Sequence, residues 1–320
     1  MIKTLLPFVF VVAGCHLCTA HAAEGSSGVY LMGMKGQGAA MAPPPGVLYY
    51  QNDSYFYRGS MGSNRTLPTG GSFASGVDAN AYVNLSTLVW TSPWQLAGGK
   101  VGLSATLPIG RKSLDARVVT EFPRLGGTGG GSRSDALTTY GDPSLGASLS
   151  WNTGKLYVQT SVSVNVPIGD YRSDRLANIS FNRWGTDVST ALTWLSTETG
   201  REISSVAGYT FNGHNSVTDY STGDETHLEA ALTQYFSPAW SASLLGYHYQ
   251  QVSGDSGSGA LLGSFKGRAS AIGAGAQYSF KTASRPVSVR VKYFHETSVA
   301  NRARSNSVFL TVSLPLSSKE

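Results

Sequence analysis

Beyond residue 23 the chain carries four histidines, His214, His227, His248 and His295, the natural candidates for proton transfer or metal ligation near neutral pH. His227 has the most suggestive setting. Glu225 and Glu229 flank it at a spacing of two, and in a β-strand that spacing puts all three on one face. Such a trio could bind a metal or move a proton. No G-x-S-x-G elbow and no H-E-x-x-H motif accompanies it. The only cysteines, Cys15 and Cys18, lie in the N-terminal apolar stretch. The run Gly126–Gly131 follows no strand–helix unit and has no P-loop lysine, so it reads as a flexible external loop. Arg111, Lys112, Arg117, Arg124 and Arg133 lie around it and could meet the phosphates of lipopolysaccharide. Ser253–Gly257 holds too few carboxylates for a calcium loop.

More charges share the period-two pattern. His248 and Gln250 follow on the next segment, and Arg290, Lys292 and Glu296 come from a third. Buried without partners, such groups would be very costly, so water or mutual pairing is implied. These residues, with Glu225, His227, Glu229 and Tyr157, are the candidate lining of a polar lumen that could hold an amphipathic solute. They are expected to be neither catalytic nor metal-binding, and no cofactor is expected. A lipid-acting enzyme using His227 or His248 with a nearby Ser or Glu is the alternative, as is a structural or adhesion barrel.

The elements that would position these residues alternate. Leu156, Val158, Thr160, Val162, Val164 and Val166 oppose Tyr157, Gln159, Ser161, Ser163 and Asn165. Similar alternation recurs over segments near 47–57, 78–91, 99–109, 143–152, 155–166, 187–196, 201–212, 225–236, 239–251, 266–280, 286–297 and 306–316. Long connections near 110–142, 167–186, 213–224 and 252–265 alternate with short ones near 153–154, 197–200, 237–238 and 281–285. Strands of about ten residues joined by alternating tight turns and long loops predict a transmembrane antiparallel up-and-down β-barrel of about twelve strands. An even count puts both termini on the short-turn side. Trp90, Trp94, Trp151, Trp194 and Trp240 fall at the short-turn ends, as an interfacial aromatic girdle would.

Composition agrees. Of 320 residues only 13% are charged, 38 are Gly and 11% are aromatic, and mean hydropathy is -0.09. Scarce charge with frequent aromatics argues against disorder. No long apolar run follows the N-terminus, which argues against a helical bundle. A net charge of +5 over this length is too mild for a nucleic-acid binder.

At the N-terminus, Lys3, an apolar run from Leu5 to Ala13 and Ala20-His21-Ala22 predict a secretory signal over residues 1–22. Val12-Ala13-Gly14-Cys15 offers lipoprotein processing as the alternative. Residues 23–46 are rich in Gly, Met and Pro, cannot be a central strand, and could plug the lumen. The barrel would take up 47–316 and a tail 317–320.

Several stretches together resemble an outer-membrane family named for the meta-pathway of phenol degradation, which includes sphingosine-induced porin-like proteins. They are Pro43-Pro44-Pro45-Gly46-Val47, Tyr140-Gly141-Asp142-Pro143-Ser144-Leu145-Gly146, Val166-Pro167-Ile168-Gly169-Asp170-Tyr171, Tyr209-Thr210-Phe211-Asn212, Glu225-Thr226-His227, Tyr249-Gln250-Gln251-Val252 and Asn301-Arg302 with Glu296. The resemblance implies an outer-membrane barrel of a Gram-negative bacterium that passes small hydrophobic or aromatic compounds. Its partners would be outer-membrane lipids, lipopolysaccharide and the barrel assembly machinery.

Overall fold

The computed structural model describes residues 28–66, 72–122, 127–260, 263–264, 266–282 and 285–316. The strands are β1 (Leu48–Thr66), β2 (Ser72–Leu96), β3 (Gly99–Phe122), β4 (Gly127–Tyr140), β5 (Ser144–Thr153), β6 (Leu156–Asn165), β7 (Gly185–Ser196) and β8 (Arg201–Asn212). They continue with β9 (His214–Asn215), β10 (Tyr220–Ser221), β11 (Glu225–Tyr235), β12 (Trp240–Gln251), β13 (Arg268–Thr282), β14 (Arg285–Ala300) and β15 (Arg304–Pro315). No helix among the described residues is long and apolar enough to cross a membrane.

Antiparallel pairing runs from β1 round to β15, which pairs with β1 and closes the wall. β4 pairs with the outer half of β3 and β5 with its inner half. Together they form one stave broken at Gly141–Pro143, so the barrel has twelve staves, and the small β9–β10 pair stands apart. Pro143 lacks the N–H that an unbroken ladder would need there. The β2–β3 connection is a two-residue turn, Ala97-Gly98, with φ of 50° and 73°. Positive φ at both positions matches the twist of the flanking strands.

The barrel is apolar outside and polar inside, the reverse of a soluble domain. Leu244 is 67% exposed on the outer face, whereas Glu225 and Lys292 on the inner face are 1% exposed. All five tryptophans of the expected girdle lie toward the short-turn end, and Trp90 meets Trp94 edge-on at 5.7 Å.

The region expected as a long loop at 110–142 is mostly strand. β3 continues to Phe122, and the glycine run forms ladder, Gly127–Gly131 pairing with Phe122–Val118. Glycine has no strand preference of its own, so this ladder rests on its pairing with β3. Residues 123–126, which include Arg124, lie outside the described residues, as do the expected signal peptide at 1–22 and the tail at 317–320. β1 and β2 extend beyond the expected segments in the same way, pairing up to Thr66 and Ser72. Lys112 faces inward and is buried, while Arg111 and Arg117 are exposed.

The tall β1–β4 sheet carries an apolar cluster of Val77, Ala79, Leu114 and Ala116 on its inner side. Leu176, from the loop at 166–184, packs under it. Asp135 of β4 pins that loop: it pairs with Arg175 at 2.5 Å and accepts the N–H groups of Leu176 and Ala177 at 2.8 and 3.1 Å. Arg175 holds the Asp135 carboxyl down at about 2. A depressed carboxylate stabilises the fold above its unfolded value, about 3.9, and that contribution vanishes as pH falls through about 2. Allowing for solvent screening, Asp135→Asn should speed amide exchange of Leu176 and Ala177 about tenfold at pH 7, with the difference from the parent gone near pH 2.

Candidate functional site

Residues 28–46 run inside the barrel. Their backbone makes short turns, with Met34 N–H donating to Leu31 O at 3.2 Å and Ala39 N–H to Gly36 O at 3.2 Å. Such turns leave polar groups that the strands cannot satisfy, so wall side chains do so. Gly33 N–H donates to Glu229 Oε1 at 2.9 Å, Gly38 N–H to Glu202 Oε1 at 2.6 Å and Ala40 N–H to Thr193 Oγ1 at 3.1 Å. Gln37 Nε2 donates to Ser241 Oγ at 3.0 Å. Lys292 Nζ donates to the carbonyls of Gly33, Met34 and Lys35 at 2.6, 2.7 and 3.0 Å. Gly33 has a φ of 81°, and a Cβ there would sit 2.7 Å from the Phe294 ring, so only glycine fits.

The expected lumen residues are distributed as follows. Glu225 faces inward and accepts the Tyr249 hydroxyl at 2.9 Å. The His227 ring stacks on Tyr30 with centroids 3.6 Å apart. Its Nε2 lies 2.8 Å from Asp187 Oδ2, which also accepts the Thr210 hydroxyl at 2.7 Å. Glu229 holds the segment as described. Arg290 donates twice to Gln277 Oε1, at 2.9 and 2.8 Å. Glu296 accepts the Tyr247 hydroxyl at 3.0 Å and Ser305 N–H at 2.7 Å, with Arg302 at 3.7 Å. Tyr157 packs with Ala39 on the cluster of Ala40, Ala191 and Val206.

His248 and Gln250 do not belong to this set. Strand parity turns Tyr247, Tyr249 and Gln251 of β12 inward and puts His248 and Gln250 on the outer face. His248 Nδ1 lies 2.8 Å from Ser270 Oγ there. Both sit at the end of β12 farthest from Trp240, where the outer face leaves the hydrocarbon and tolerates polar groups. Inside, the tyrosine hydroxyls satisfy the acids instead.

Ser189, Asp187 and His227 come together, but not as a relay. Ser189 donates to Asp187, and His227 Nε2 addresses the same carboxylate. A serine nucleophile needs the imidazole between itself and the acid. Here Asp187 at 2.8 Å and Ser189 at 3.4 Å both address the same ring nitrogen, Nε2, and Tyr30 covers the ring. No group of three or more potential metal ligands occurs among the described residues.

Several site residues escaped the sequence reading: Asp187, Glu202, Tyr30 and Asp142. Parity could have given Asp187 and Glu202, since each is an acid opposite a face that carries Val188, Leu192 and Trp194 on β7 or Ile203, Ala207 and Phe211 on β8. Asp142, in the break between β4 and β5, is 3% exposed and gathers five donors. They are Asn165 Nδ2, Gly169 N–H, Ser180 Oγ, Phe181 N–H and Asn182 N–H, at 2.6 to 3.2 Å.

The segment hugs the side from β7 to β14 and leaves a cavity of about 570 Å³ toward β2–β6. Ser104, Ser148, Gln159 and Ser161 line its polar side. Ile179 and Phe181, from the loop at 166–184, also line it.

Among solved structures, the fold is similar to a crystal structure of an outer membrane channel from Pseudomonas putida F1, with 15% identity, a TM-score of 0.62 and coverage of 87% of this chain and 98% of that one. The transport unit of the autotransporter AIDA-I from Escherichia coli aligns at 11% identity and a TM-score of 0.45, covering 87% and 92%. No curated protein matches the sequence. A profile of the family described as "Putative MetA-pathway of phenol degradation" matches residues 63–312. The chain therefore belongs to that family, a twelve-stave transmembrane barrel with its own N-terminal segment lodged in the lumen.

Proposed function

We propose that the chain is a channel of the Gram-negative outer membrane for small hydrophobic or aromatic compounds, partly plugged by residues 28–46. The observation that carries this reading is the inner face of β2. Ala79, Ala81, Val83, Leu85 and Val89 line the cavity from one face of that strand, interrupted only by Thr87, and Ser104, Ser148, Gln159 and Ser161 share the lining with them. An apolar stripe facing a cavity of this size suits a solute whose rings or chains slide along it while hydroxyls opposite meet its polar end. At the external end, Arg58, Arg111 and Arg304 are exposed on the outer wall, a position that suits the phosphates of lipopolysaccharide.

The test is uptake of phenol and of a sphingosine-like amine into vesicles holding the refolded barrel. The double variant Val83→Asp, Leu85→Asp should slow uptake of the apolar solute at least about tenfold, because a charge now stands where rings would pass. Unchanged uptake, or a wild type that speeds neither solute, would overturn the reading.

A further inference from the structure

The outer face of β1 and β2 is unlike the rest of the wall. Parity turns Asp53 inward, where it accepts the Thr311 hydroxyl, so Tyr50, Asn52 and Ser54 face out. Asn84 and Ser86 face out from β2 beside them. The two asparagines exchange amides, Asn52 Nδ2 donating to Asn84 Oδ1 at 2.9 Å and Asn84 Nδ2 to Asn52 Oδ1 at 2.8 Å. Tyr50 Oη lies 3.2 Å from Ser86 Oγ, and Asn84 Nδ2 donates to Ser54 Oγ at 3.4 Å.

The depth of this patch makes it notable. With a strand rise of about 3.3 Å and a tilt of about 40°, Ser86 and Asn84 stand roughly 10 and 15 Å above Trp90 in the girdle. Phe56 and Tyr82, with ring centroids 4.9 Å apart, mark the opposite edge, where Arg111 stands opposite Tyr82 in the ladder and Arg58 lies beyond. The patch therefore lies in the middle of an apolar band about 25 Å tall. Among the described residues, the outward amides of the other staves, Gln234, Gln250 and Asn306, stand within two residues of a strand end. The residues around it are what lipid would select: Leu88, Leu103, Leu107 and Leu310 are 38–46% exposed. On β2 the usual pattern is inverted, Val83 and Leu85 facing in while Asn84 and Ser86 face out.

Acyl chains offer such groups no donor or acceptor, whereas polar side chains join membrane-spanning elements by bonding across their interface. We propose that this face docks against the same face of a second copy of the chain. The patch supports that choice of partner. Amides and hydroxyls both donate and accept, so the internal pairs can be traded for equivalent pairs across a two-fold axis, and the patch is its own complement. The leucines around it supply a flat apolar rim of the kind a second barrel wall can cover.

The test uses the full chain with Cys15 and Cys18 replaced by Ser, expressed in outer membranes and oxidised there. Ser86→Cys should give a disulfide-linked dimer on non-reducing gels, and Leu228→Cys, on the outer face of β11, should not. Adding Asn52→Leu with Asn84→Leu should reduce the Ser86→Cys dimer at least fivefold while the barrel keeps its heat-modifiable mobility. Absence of dimer from both Ser86→Cys and Ser54→Cys in a folded barrel would overturn the proposal, as would equal cross-linking at Leu228→Cys. Solute uptake measured on the Asn52→Leu, Asn84→Leu chain separates a third case. Loss of uptake without any dimer would assign the patch to solute passage and would also overturn the docking.

Discussion

Lys292→Met is expected to unseat the N-terminal segment and open the lumen to ions. The ammonium holds three successive carbonyls, those of Gly33, Met34 and Lys35, from within the barrel. Hydrogen bonds from a charged donor contribute about 1.5–3 kcal/mol each, and groups sharing one donor contribute less than their sum. A total loss of about 3–4 kcal/mol raises the ratio of unseated to seated segment by on the order of 10²–10³. Methionine keeps most of the side-chain volume, so the wall itself should persist. Planar-bilayer recordings would read the change directly, with a chain lacking residues 28–42 setting the upper limit. Conductance equal to wild type in a folded Lys292→Met barrel would show that the segment is held by other contacts. Gly33→Val is expected to act in the same direction, because its side chain would collide with Phe294.

Asp142→Ala should free the loop at 166–184 from above while leaving the segment seated. The carboxylate gathers five donors, three of them backbone N–H groups, from Asn165, Gly169, Ser180, Phe181 and Asn182. Removing it strands these donors in a dry site at a cost of about 3–5 kcal/mol, enough to detach the loop. Amide exchange at Gly169, Phe181 and Asn182 should accelerate by on the order of 10²–10³, with exchange in β11 and β12 unchanged. Because Phe181 and Ile179 line the cavity, solute entry should become less selective as well. Exchange rates unaltered at those three amides would sink the idea that one carboxylate holds the loop.

The strands were legible because period-two alternation survives inversion. A barrel in lipid and a sandwich in water both demand it, and the turn–loop rhythm with the tryptophans at one end separates them. The upper parts of β1, β2 and β4 were not legible, since Ser, Gly and Asn crowd them, and that of β3 was not because charges interrupt its alternation; their strand form rests on paired neighbours. His248 and Gln250 show the complementary failure. Their polarity suggests a lumen, but at the outer end of β12 the outer face is already wet, and polarity no longer reports direction. Residues 23–46 announced through Pro and Gly that they are not a stave. Where residues 28–46 lie depends on contacts that no local pattern carries, such as Lys292 meeting Gly33 across 259 positions.

The seam between β1 and β15 sets an order of events during assembly. Tyr49–Ser60 can find their partners, Pro315–Arg304, only when the last stave exists. The lodged segment is joined to β1 through Val47, and it owes its Lys292 contacts to β14, nearly the last stave made. The earliest part of the barrel must therefore wait for the latest, and a wall closing at the seam closes round its own leader. Long-range contacts of this separation are slow to form. A chain cut before β14 would thus lose the seam and the Lys292 anchor together, keeping only the anchors that Thr193, Glu202, Glu229 and Ser241 provide.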